Sequence, residues 1–106
     1  MTSEFSASVM AIVLSKITLT GHIVVPIEDL KTVRDALAQH IALTRAEDGC
    51  LVFNVDEHAE QNGRFDVYEE FVDRHSFAAH QSRVASSHWG EVTVNVSRHY
   101  TVVGLD

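Results

Sequence analysis

Seven histidines are spread through this 106-residue chain, at positions 22, 40, 58, 75, 80, 88 and 99, and they are the first residues to weigh for chemistry. An imidazole can ligate a metal or carry a proton near neutral pH. Metal binding favours close pairs, such as two histidines four apart on a helix or two apart on a strand. No such pair occurs, and His75 and His80, the nearest two, point to different sides of a helix. The spacing therefore predicts no metal site. The lone cysteine, Cys50, has no partner for an internal disulfide and no sharp elbow around it, so it reads as a buried, inert thiol. No glycine-rich phosphate cradle is present, which leaves a nucleotide cofactor without a visible seat.

Composition narrows the partners. Fifteen Asp and Glu against eight Lys and Arg give a net charge of −7 with the histidines neutral. That balance argues against nucleic acid, whose phosphates call for a basic stripe. No stretch approaches the roughly 20 apolar residues of a membrane span. The first residues lack the positive start of a signal peptide, with Glu4 in its place and only a short apolar run over residues 9–14. With one cysteine, a cytoplasmic protein is expected. Residues 1–9 read as a tail and residues 10–106 as one domain, with Met10 a possible alternative start.

The elements that must position these residues follow from periodicity. A β-branched first strand is expected over residues 11–25, with a bulge or bend at Gly21 and an end at Pro26. Leu30, Val33, Leu37 and Ile41 predict a helix over 27–46, with His40 at the flank of its apolar stripe and Gly49 beyond its end. Strands over 50–57 and 64–72 form a hairpin, and Asp73 caps a helix over 74–83. Residues 89–96 fit either a strand (Val92, Val94, Val96 alternate) or a helix capped by Ser86 or Ser87. A final strand covers 98–104. Strand, helix, strand, strand, helix, strand is the α+β, ferredoxin-like βαββαβ plan, an antiparallel sheet with helices on one face.

Face arithmetic then selects side chains. Alternation puts Leu51, Phe53 and Val55 on one face of the second strand and Cys50 and Val52 on the other. Phe65, Val67, Glu69 and Phe71 share one face of the third strand, and Tyr68, Glu70 and Val72 the opposite one. Two helices cover one face only, so the other is expected to meet a second copy of the chain, as a homodimer. A carboxylate among core residues must pair, stay protonated or line a cavity, which singles out Glu69. His80, on a helix face with Phe77 and Val84, is expected to point at the sheet. His40 approaches the same region, and Trp89 is core or pocket wall.

The runs GCLVFNVDEH, GRFDVYEEFVDRHSFAAH and SSHW, in this order and spacing, resemble the antibiotic biosynthesis monooxygenase family, over about residues 11–105. The resemblance implies a dimeric α+β barrel built from sheet faces, a pocket between sheet and helices, and a helix rather than a strand over 87–96. It also implies oxidation of a small electron-rich aromatic, such as a quinol or anthrone, by dioxygen without any cofactor. His80 matches the family's helix histidine and is the expected catalytic proton acceptor or substrate donor. Val67, Glu69, Phe71, Phe77, Trp89 and His40 are the expected substrate-binding residues. Phe71 stands where many members carry tryptophan, which removes an indole N–H donor. A haem-degrading branch uses an asparagine on the first strand, where this chain has Ser15, Lys16, Thr18 and Thr20, and a tryptophan where His80 stands. Those departures argue against haem degradation. An isomerase, or a small-ligand-binding dimer without turnover, is the alternative reading on this fold.

Overall fold

A computed structural model describes residues 16–105. Four antiparallel strands, β1 (Ile17–Val24), β2 (Cys50–Glu57), β3 (Arg64–Phe71) and β4 (Ser97–Val103), form one sheet in the order β2-β3-β1-β4. The helices α1 (Leu30–Arg45), α2 (Arg74–Ala85) and α3 (His88–Val92) complete the ferredoxin-like βαββαβ plan. The part of the first strand expected over residues 11–15 lies outside the described residues.

Alternation along the strands builds the core. Ile17, Leu19 and Ile23 of β1, Phe53 and Val55 of β2, and Phe65, Val67 and Phe71 of β3 are buried beneath Leu30, Val33 and Ala36 of α1, Phe77 of α2 and Trp89 of α3. The opposite face presents Thr18, Thr20, His22, Tyr68, Glu70 and His99, where the His22 and His99 rings stack with centroids 4.7 Å apart.

Several expectations are corrected. Gly21 pairs in register with Val67 and Tyr100, so it is not a bulge. Its φ of 151° and the approach of β4, whose His99 carbonyl oxygen would stand 2.0 Å from a Cβ, explain the glycine. The irregularity falls in β2 instead, between Cys50 and Val52. It turns Leu51 out to solvent and leaves Cys50 packed against the core, reversing the faces that strict alternation assigned to both. The first turn of the expected long helix is a 3-10 turn over Ile27–Asp29, because Ile27 is exposed and nothing draws that turn onto the sheet. α3 stops at Val92, well short of 96. Thr93 donates both its N–H and its hydroxyl to the Trp89 carbonyl, and the β-branched run that follows is a poor helix former.

The buried stripe of α1 is Leu30, Val33, Ala36, His40 and Thr44, with Leu37 and Ile41 only partly covered. His40 thus lies at the centre of the buried face, not at its flank. Its imidazole replaces an aliphatic core residue by stacking on Trp89 (4.4 Å, 2°) and meeting the edge of Phe53 (5.3 Å, 83°).

Candidate functional site

A cavity of about 310 Å³ opens between the sheet and the helices. β1 supplies Leu19, β3 supplies Glu69, α1 supplies His40, α2 supplies Phe77, His80 and Val84, and α3 supplies Trp89. Gln81, Arg98 and Tyr100, all exposed, form its rim. The sequence positions these groups by simple means. Asp73 accepts the Ser76 backbone N–H (2.8 Å) and starts α2, so Phe77 and His80 fall one turn apart on its inner side. Ser87 caps α3 by accepting the Gly90 N–H (3.1 Å), which sets Trp89 over the sheet.

Five of the seven residues expected at the site, His80, His40, Glu69, Phe77 and Trp89, line this cavity together. Val67 lines a smaller recess of about 30 Å³ beside it, which shares His40, Glu69 and Trp89. Phe71 is fully buried and lines neither space. Its ring lies behind His80 and Phe77, at centroid distances of 4.9 and 5.6 Å.

His80 is held from behind. Its Nδ1 lies 2.9 Å from Glu47 Oε1, and the other Glu47 oxygen accepts from Arg83 Nε. Arg83 Nη2 in turn donates to Thr44 Oγ1 (3.0 Å). A carboxylate that already accepts from a guanidinium assigns the proton to Nδ1 and leaves the Nε2 lone pair free. That Nε2 lies 3.9 Å from Glu69 Oε1, beyond hydrogen-bond length. Glu69 Oε1 and His40 Nδ1 are buried without any hydrogen-bond partner.

The electrostatics follow from burial. Glu69 is pushed up to about 7 by desolvation, helped by the negative charge of Glu47. His40 is driven down to about 3, chiefly by burial and secondarily by His80 and Arg83. His80 is lowered by burial, with Arg83 acting the same way and Glu47 opposing. Tyr100, whose ring is partly exposed at the rim, is raised to about 12 because its hydroxyl is desolvated and Glu69 is near. The cavity therefore holds a neutral imidazole with a free lone pair beside a carboxyl that changes charge near neutral pH. Such a pair can take a proton from a weak acid bound in apolar surroundings.

Sequence reasoning missed Glu47, Arg83, Arg98 and Tyr100. Arg98 and Tyr100 had a signal, since they alternate with Val102 on the β4 face that pairs with the inward side of β1. Glu47 had none in its neighbourhood, because its partner is 33 residues away. Among the described residues, no group of three or more His, Cys, Asp or Glu converges as a metal-ligand set would.

The profile of the antibiotic biosynthesis monooxygenases matches residues 17–92, which contain every cavity residue except Arg98 and Tyr100. The chain belongs to the antibiotic biosynthesis monooxygenase family. Solved structures agree in fold. A Nitrosomonas europaea protein named as a candidate antibiotic biosynthesis monooxygenase superposes with a TM-score of 0.67 at 19% identity, covering 83% of this chain and 85% of that one. One from Deinococcus radiodurans, named likewise, gives 0.61 at 22%, covering 82% and 88%. Rv0793 from Mycobacterium tuberculosis gives 0.66 at 23%, covering 84% and 93%. No curated protein matches the sequence significantly. Family membership assigns the chain a monooxygenase-like function in general terms. No described helix is long and apolar enough to cross a membrane.

Proposed function

We propose that this protein oxidises a small electron-rich aromatic, a quinol or an anthrone, with dioxygen and without a cofactor, in the cavity between sheet and helices. The observation that carries the reading is a buried imidazole and a buried carboxyl, His80 and Glu69, facing one cavity whose apolar walls include Leu19, Phe77, Val84 and Trp89. The apolar walls suit an aromatic ring, and a volume of about 310 Å³ is at the lower end of small-molecule sites. The cavity is not packed shut by its aromatic residues, which disfavours a purely structural role.

The chemistry balances on the substrate alone. His80 Nε2, aided by Glu69, takes a proton from the bound ring or its acidic carbon. The anion gives an electron to dioxygen, and the resulting radical pair joins into a C–O bond. The peroxide takes up a proton and loses water, leaving a carbonyl. A CH2 centre plus O2 thus becomes C=O plus H2O, with all four electrons supplied by the substrate. The protein contributes the proton acceptor, orientation and exclusion of bulk water. The same reading includes a homodimer packed through the open sheet faces, whose test is sedimentation at micromolar concentration.

The direct test is labelled dioxygen with a panel of reduced quinols and anthrones, using protein free of metal and flavin. One labelled oxygen atom in the product and one in water are expected. Absence of oxygen uptake across the panel would overturn the proposal in favour of a non-oxygenating role.

A further inference from the structure

His80 is the one described side chain that lines both the inner cavity and a second depression of about 480 Å³ on the outer side of α2. Glu47, Asp48, His75 and Arg83 border that outer depression, and Asp48 and His75 are exposed to solvent. Across this wall the two nitrogens of His80 each face a carboxyl group. Glu69 Oε1 lies 3.9 Å from His80 Nε2 on the cavity side, and Glu47 Oε1 lies 2.9 Å from His80 Nδ1 on the outer side. Arg83 clasps the second Glu47 oxygen and is itself tied to Thr44.

We propose that Glu69, His80 and Glu47 form a proton relay connecting the inner cavity to the outer depression, with Arg83 as the positioning residue that fixes Glu47. This rests on the reading of the cavity as a substrate site. A proton taken from the substrate, directly or through Glu69, binds Nε2 while the Nδ1 proton passes to Glu47 and then to solvent. The imidazole is left as its other tautomer. When the peroxide forms, the sequence runs inward: a proton enters at Nδ1 from Glu47, and Nε2 protonates the peroxide. One proton leaves and one returns, so the relay resets and the overall reaction keeps its balance. The other charged or titratable groups near His80 do not compete. The His40 ring, 6.3 Å away, stays neutral, and Tyr100 holds its proton across the cavity.

Anaerobic mixing with a reduced quinol isolates the outward half. With a pH-indicator dye in the solvent, the wild-type protein should release about one proton per bound quinol as the substrate anion appears. Glu47→Ala should slow that release at least tenfold with quinol affinity within twofold, and millimolar formate, reaching the outer depression, should restore it. Anion formation without proton release, or release at the wild-type rate in Glu47→Ala, would overturn the relay and leave the proposed function standing. Should no anion form, the function fails, and the relay is decided by nitrogen NMR of the ligand-free protein. Protonation of His80 on Nδ1 in the wild type, lost or mixed in Glu47→Ala, supports it. Protonation on Nε2 in the wild type overturns it.

Discussion

Glu69 and Glu70 are neighbours on β3, yet they live in opposite chemical worlds. Glu70, on the open face, accepts from Lys16 Nζ (2.8 Å) and from the Tyr68 hydroxyl, and these partners hold it below the usual carboxylate range. Glu69, on the helix-covered face, has a buried oxygen with no partner and is pushed up to about 7. The histidines repeat the contrast. His22 and His99 stack on the open face, while the His40 and His80 rings are buried between helices and sheet. The strand's period of two, not residue type, decides which carboxylate is ordinary and which is reactive.

This contrast can be broken by substitution. The largest expected effect is on turnover. His80→Ala should lower the rate of quinol-dependent oxygen uptake by about 10²- to 10⁴-fold, the usual range for a lost general base, whereas His99→Asn should leave it nearly unchanged. Equal losses in the two variants would erase the distinction between the faces.

Stability against pH comes next, with opposite signs for the two buried groups. His40 has a folded pKa of about 3, below the unfolded value near 6.5, so its stability contribution is lost as pH falls through that window. In His40→Phe, which keeps a ring against Trp89, the pH-dependent part of the gain over wild type should reach about 4 kcal/mol at pH 3.5, measured by urea unfolding. Glu69 behaves the other way. Its folded pKa of about 7 exceeds the unfolded value, so the native state keeps a proton that the unfolded chain has lost, and stability falls as pH rises from about 4.5 to 7. Glu69→Gln should therefore be more stable than wild type by about 3 kcal/mol at pH 8 and indistinguishable at pH 4. A flat difference across that range would show that Glu69 titrates normally. The smallest effect belongs to Glu70→Gln, a slight loss of stability that shrinks further in high salt because its partners are solvated.

The sequence carried the fold and half of the site, for a definable reason. Face arithmetic on β3 and α2 brought Glu69, Phe77 and His80 together, since alternation and helical spacing are local properties that the structure keeps. Strict alternation failed on β2, where the bulge after Cys50 exchanged its face with that expected for Leu51. The buried stripe of α1 departs from the expected one because an imidazole counts as polar in a periodicity pattern, while in the fold the His40 ring packs as an aromatic one. Glu47 stayed invisible. It sits in the turn after α1, and only the docking of α2 against that turn makes it the partner of His80.

The most direct measurement of the central claim is the spectrum of a chromogenic quinol bound without oxygen. With dioxygen excluded, proton removal is separated from oxidation. The wild-type protein should convert the bound quinol to its anion near neutral pH, and His80→Ala should bind it with the neutral spectrum. A neutral spectrum for the quinol saturating the wild-type protein would contradict the account.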